Sequence, residues 1–171
     1  DLQRFQPMDR AAARATLGLK RFTLLSVGLL DPRKAHDLII KALPSLPEVD
    51  LLIAGTGPEK KNLEQLAQEL GVADRVTLLG PVPQTELKTY YNAADALVLA
   101  SSREGWANVL LEAMALGLPC AAFDCPSGPR EMEMWKWGQG PFTCEQGALD
   151  NVRTCLVMKS PTSRVSVPAI C

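Results

Sequence analysis

The sequence predicts an α/β fold, a Rossmann-like doubly wound parallel sheet with helices on both faces. Three observations carry this. Short apolar, β-prone runs ended by glycine or polar residues recur along the chain, and stretches of helical spacing separate them. The 171 residues, 47% of them hydrophobic, suffice for one well-packed core and fall short of two ordinary ones.

Asp9 is placed to cap a helix through Arg10 to Leu17, with Gly18 as its stop. Phe22 to Gly28 reads as the first strand. Leu38 to Leu43 reads as a helix and Asp50 to Gly55 as a second buried strand. Glu59 to Leu70 is amphipathic, with Leu63, Leu66, Ala67 and Leu70 on one stripe and Gly71 closing it. Arg75 to Gly80 is the third strand. Glu86 to Ala94 follows as a helix with Leu87, Tyr90, Tyr91 and Ala94 inward, the tyrosines read as core because their spacing is helical. Ala96 to Ala100 is the fourth strand, a helix around Glu112 comes next, and Cys120 to Asp124 is the fifth strand. Strands alternating with helices require right-handed crossovers and a parallel sheet. With the strand order 3-2-1-4-5, ligands bind at the carboxyl ends of the first and fourth strands, where the order reverses. The loops that meet there begin at Gly28 and at Ser101.

Composition narrows the function classes. The formal charge of −1 gives no electrostatic case for nucleic acid. No apolar run approaches a membrane span and no secretory leader is visible. Five cysteines without a Cys-x-x-Cys pair argue against a disulfide framework or a zinc site and fit a reducing, cytoplasmic setting. The single histidine, His36, makes a Ser-His-Asp triad or multi-histidine metal site hard to build, and its place in the first turn of a helix is read as surface. No metal is expected. The chain opens on Asp1 rather than Met, so it is expected to be a piece of a longer protein.

The chemistry concentrates in Glu104-Gly-Trp-Ala-Asn-Val-Leu-Leu-Glu112, which follows the fourth strand. One carboxylate stands in a glycine-containing loop and the second about 7 to 8 Å along the next helix, if that helix begins near Ala107. Between them lie the free N–H groups and positive dipole end of a helix N-terminus, a seat for phosphate. Two carboxylates flanking an anion seat suit a ligand with hydroxyls on both sides of a phosphate, as in a nucleotide sugar.

That spacing, with the residues around it, resembles the signature of the family-four retaining glycosyltransferases of GT-B fold, over about Asp1 to Glu131. The resemblance implies that this is the donor-binding half, working with an acceptor-binding N-terminal domain that the chain lacks. It implies retaining transfer of a hexose or N-acetylhexosamine from a nucleoside diphosphate sugar to a hydroxyl, without a cofactor. Membrane association of the whole enzyme would be decided in the missing half.

Residue by residue, the resemblance implies that Glu104 holds donor-sugar hydroxyls and Glu112 those of the ribose. Gly105, Trp106 and Ala107 would supply backbone donors near sugar and phosphates. Asn108 either contacts ligand or merely begins the helix, with Val109 next to it. Lys34, a cation in the first switch-point loop, would neutralise the departing diphosphate beside the helix N-terminus, an electrostatic task. The family pairs that lysine with an arginine directly after the strand glycine, Gly28. Here Leu29 stands in its place, Arg33 is the candidate to compensate, and Ala35 replaces the family's glycine after the lysine. Gly57, in Gly55-Thr-Gly-Pro58, is either a point of close ligand approach or a plain tight turn. Val82, in Gly80-Pro-Val-Pro83, would sit beside the nucleobase.

After Met132 the resemblance ends. Residues 132–171 show little sustained period and are expected to form an atypical tail, a shifted reading frame or an appended segment. Two readings of another class stay open: a sugar-nucleotide epimerase-like enzyme on the same scaffold, and a non-catalytic α/β module, since fold alone does not fix function.

Overall fold

The computed structural model describes residues 8–103, 108–124 and 155–159. In chain order the elements are α1 (Arg10–Leu17), β1 (Phe22–Val27), α2 (His36–Ala42), β2 (Val49–Ala54), α3 (Lys60–Glu69), β3 (Val76–Gly80), α4 (Gln84–Ala93), β4 (Ala96–Leu99), α5 (Asn108–Ala115), β5 (Cys120–Asp124) and β6 (Cys155–Lys159). A 3-10 turn, Pro32–Lys34, lies between β1 and α2. The sheet runs β3-β2-β1-β4-β5-β6, and every pairing in it is parallel. The reversal falls between β1 and β4, as expected from the alternation of elements.

Why the sheet is covered on both faces is visible along β2. Leu52 and Ala54 pack into a cluster with Leu87 and Tyr91 of α4 and Leu110 and Ala113 of α5. Leu51 and Ile53 point the other way, into a cluster with Ile39 and Ile40 of α2 and Leu63 and Ala67 of α3. A strand buried on both faces has no polar side to show, hence the near-continuous Leu-Leu-Ile-Ala run. Each such leucine or isoleucine contributes about 1.5 to 3 kcal/mol by leaving water. The tyrosines fall inward as expected, Tyr91 fully buried and Tyr90 partly. The stripe on α3 is narrower than its sequence suggests: Leu70, one residue past the helix, is exposed.

Local chemistry sets the helix ends. Asp9 accepts from the backbone N–H groups of Ala11 and Ala12, and Gly18, in the left-handed region, closes α1. Arg14 of α1 reaches the carbonyls of Ala93 and Arg21 and the carboxylate of Asp95, which also accepts from Arg10 and from the Thr23 backbone. Burial pushes the Asp95 carboxyl up, but the Thr23 N–H, the Arg14 hydrogen bond and the two arginine charges outweigh it and hold it below the usual range. This knot ties α1 to the start of β1 and β4.

β6 was not read from the sequence. Its five residues pair with β5 from Cys120–Cys155 to Asp124–Lys159 and add a sixth strand beside it. The run is only five residues long, and although Asp150-Asn151 before it and Ser160-Pro161 after it are turn-prone, it lies in a stretch without sustained periodicity.

Candidate functional site

Strand ends facing the switch point are laced together by backbone. Gly28 N–H donates to Ala54 O, Gly55 N–H to Gly80 O, Leu30 N–H to Thr56 O and Glu59 N–H to Leu30 O. Two glycines permit this closeness. A methyl group at Gly55 would stand 1.8 Å from the carbonyl oxygen of Gly28, and one at Gly57 would stand 2.3 Å from that of Leu30. The close approach seen at Gly57 is to the chain's own backbone at Leu30.

After Gly28 the chain turns into the 3-10 segment through its own side chains. Asp31 caps it, accepting from the N–H groups of Arg33 and Lys34, and Pro32 supplies a preset φ. The Arg33 guanidinium folds back onto the Asp31 carboxylate at 2.6 Å. That hydrogen bond, above all, holds the Asp31 carboxyl below its ordinary range. Lys34 is half-buried, and its aliphatic stem lies over Gly28, where a methyl group would meet Cε at 3.2 Å. Ala35 follows with φ 49° and ψ 40°, the one non-glycine residue at positive φ among the described residues.

His36 is not on the surface, as its sequence position suggested; it is 2% exposed. Its ring spans two elements, with Nδ1 3.1 Å from Ser26 Oγ of β1 and Nε2 3.2 Å from the carbonyl oxygen of Leu29. A carbonyl only accepts, so Nε2 carries the proton and Nδ1 accepts from the serine hydroxyl. Burial lowers the imidazole pKa, and the nearby Lys34 charge lowers it further against the favourable Leu29 contact. The neutral ring thus buttresses the loop from within. First-turn placement argues for exposure only when the helix begins at the surface, and α2 begins against β1.

The β1 and β4 loops touch. Ser102, after β4, donates its backbone N–H to the carbonyl oxygen of Arg33 at 2.8 Å, and its hydroxyl lies 3.2 Å from the same atom. Neighbouring Ser101 is 1% exposed, and its hydroxyl has no hydrogen-bond partner among the described residues. Glu104, Gly105, Trp106 and Ala107 lie outside the described residues. α5 begins at Asn108, which is exposed; Val109 is half-buried against the α4–α5 cluster. Glu112 sits one turn in, about 6 Å along the axis.

Glu112 is held from α4. The Tyr91 hydroxyl donates to its Oε2 at 2.9 Å, and the Gln84 side-chain amide donates to Oε1 at 3.2 Å. Burial, then the Glu112 charge and hydrogen bond, push the Tyr91 phenol pKa far up, so it stays a donor. Tyr91 is core, as its spacing implied, and also a second support for the carboxylate. Nothing local announces that role, because 21 residues separate the two. Val82, in the turn before α4, is half-buried against the same cluster.

Among the described residues there is no group of three or more His, Cys, Asp or Glu placed to hold a metal ion, and no helix long and apolar enough to cross a membrane. Against known sequences, the model of the family described as "Glycosyl transferases group 1" matches residues 9–138. The chain belongs to that family. It is 44% identical over 130 residues to a D-inositol 3-phosphate glycosyltransferase from Mycobacterium sp. (strain KMS), a match that takes in 71% of this chain and 29% of that protein. The chain therefore spans less than a third of the length of this curated relative.

Among solved structures, sucrose-phosphate synthase from Thermosynechococcus elongatus superposes with a TM-score of 0.71 at 32% identity, covering 89% of this chain and 40% of that one. HepE from Anabaena, in complex with UDP and glucose, superposes at 0.68 with 28% identity, covering 78% and 38%. The sheet is the Rossmann-like one found in GT-B glycosyltransferases.

Proposed function

We propose that this group 1 chain is the donor-binding half of a retaining glycosyltransferase that uses a nucleoside diphosphate sugar, uracil being the first base to test. The observation that carries the reading is the contact between Ser102 and Arg33. It brings the Lys34 loop against the loop that leads to α5 and Glu112. In this reading Glu112 takes the ribose hydroxyls, the α5 N-terminus and Lys34 take the diphosphate, and Glu104 takes the sugar. Gly105, Trp106, Ala107 and Asn108 line the anion seat, Val109 and Val82 border the nucleoside, and Gly28 lets the Lys34 stem lie close to the strand end. Departure of the diphosphate is then eased by fixed positive potential, with no metal needed. The complex of HepE with UDP and glucose supports the choice of donor.

The acceptor side of the cleft belongs to a second domain, consistent with the 29% of the mycobacterial relative that this chain matches. Leu29, 56% exposed where the family has an arginine, favours a second reading in which the site binds nucleotide but transfers little. A thermal-shift titration with UDP, GDP and ADP, repeated with Glu112→Ala and Lys34→Ala, tests the binding claim. A ligand at 100 times its dissociation constant stabilises by about 2.7 kcal/mol. The expected result is a base-selective shift reduced in both variants; no shift with any nucleotide would count against a donor site. Release of sugar from the donor then separates transfer from binding alone.

A further inference from the structure

We infer that Tyr91, assisted by Gln84, is the positioning residue that aims Glu112 at a vicinal diol, and so sets the preference of this site for ribonucleotides. The inference rests on the reading of Glu112 given above and names the residues that make it work. Glutamate on a helix surface has three rotatable bonds and would lose rotamer entropy on gripping a ligand. Here that freedom is already restricted. Tyr91 is 1% exposed, its ring wedged among Leu87, Leu110 and Ala113, so the hydroxyl has a fixed position from which it donates to Oε2. Gln84, seven residues before Tyr91 on the same face of α4 and exposed, donates to Oε1.

An ionised carboxylate has about four lone-pair directions, two on each oxygen. The two α4 donors occupy one on each, leaving one on each oxygen for ligand. Two acceptors side by side on a rigid carboxylate match two adjacent hydroxyls, as on the 2′ and 3′ carbons of a ribose. Because α4 is packed on α5 through the same cluster, the clamp is part of the fold and does not await ligand.

Calorimetric titration of the chain with UDP and with 2′,3′-dideoxy-UDP tests this, using Glu112→Ala, Tyr91→Phe and Gln84→Ala. Tyr91→Phe is expected to weaken UDP by up to about tenfold, because Glu112 then has rotamer freedom to lose on gripping the diol, while leaving the dideoxy compound unchanged. Gln84→Ala should act in the same direction and less, and Glu112→Ala should abolish the preference between the two ligands. Equal weakening of both ligands by Tyr91→Phe, or no weakening of either, would overturn the positioning role while Glu112→Ala still loses the preference. A Glu112→Ala chain that keeps its ribose preference, or a wild-type chain that binds UDP no better than the dideoxy form, would overturn the diol reading and this inference with it. Should Tyr91→Phe fail to fold, Gln84→Ala decides alone, since that side chain is exposed.

Discussion

The two sides of the switch point are built in opposite ways. On the β1 side, the Leu29–Lys34 loop is fixed from within and from the adjoining strand ends: backbone laced across glycines, an aspartate cap within its own turn, and a buried histidine beneath it. On the α5 side, Glu112 is fixed by side chains that arrive from another helix. The first arrangement puts the site's integrity on the same footing as the fold's. The second lets the carboxylate be tuned with little effect on the rest of the molecule. Under the proposed function, a site that holds a diphosphate and discriminates among sugars of the nucleotide would benefit from both, a rigid seat and an adjustable grip.

The largest expected effect breaks the comparison at its backbone end. Gly55→Ala would drive a methyl group to 1.8 Å from the Gly28 carbonyl oxygen, at φ 154°. Neither backbone can retreat without opening the β1–β2 or β2–β3 pairing, so destabilisation of about 3 kcal/mol or more is expected. Glu112→Ala, on a half-exposed side chain but taking an acceptor from the buried Tyr91 hydroxyl, should cost about 1 to 2 kcal/mol. Urea unfolding of both variants checks the contrast, and comparable losses would mean that the two sides are not built differently after all.

Next in size is the histidine beneath the loop. His36→Gln leaves Ser26 or the Leu29 carbonyl without a well-placed partner, for a cost of about 1 to 3 kcal/mol. It also carries a pH signature. The folded pKa of His36 lies below its ordinary 6.5, so in the window between them the unfolded chain binds the extra proton. Stability is therefore fully present above about pH 6.5 and falls as pH drops toward the folded value. Lys34 facing the ring opposes protonation, whereas Asp31 and Asp37 favour it. Asp31 and Asp95, both held below 3.8, lose their contributions only at lower pH. Chemical denaturation between about pH 7 and 5 should show a slope in the wild type that His36→Gln flattens. An unchanged slope would mean that His36 is not the group responsible.

What the sequence made legible follows the same division. The strand order, the capped α1 and the meeting of the Gly28 and Ser101 loops were readable because periodicity, caps and glycine stops act within a few residues. Tyr91 on Glu112 was not readable, since a helical spacing that marks a core tyrosine says nothing of where its hydroxyl ends. His36 was misjudged for a related reason. Its burial depends on Ser26, ten residues back on β1, and on the direction in which α2 leaves the sheet. β6 escaped because a five-residue strand at a sheet edge is specified by its neighbour β5 more than by its own pattern.

The smallest effect sharpens the comparison by relieving strain in the rigid side. Ala35 sits at φ 49° between Lys34 and His36, where a Cβ costs about 1 to 2 kcal/mol. Glycine would remove that cost but would add about 0.5 to 1 kcal/mol of unfolded-state entropy. It would also remove a methyl group that packs against the α2–α3 cluster. The three nearly cancel, leaving an expected change within about 0.5 kcal/mol for Ala35→Gly, whose sign tells which of them leads. A thermal midpoint raised slightly, with nucleotide affinity unchanged, would show that the loop is held by Ser26, His36 and the strand-end hydrogen bonds. A lowered midpoint would show that the Ala35 methyl is part of what holds it, and that the turn gains more from packing than it loses to strain.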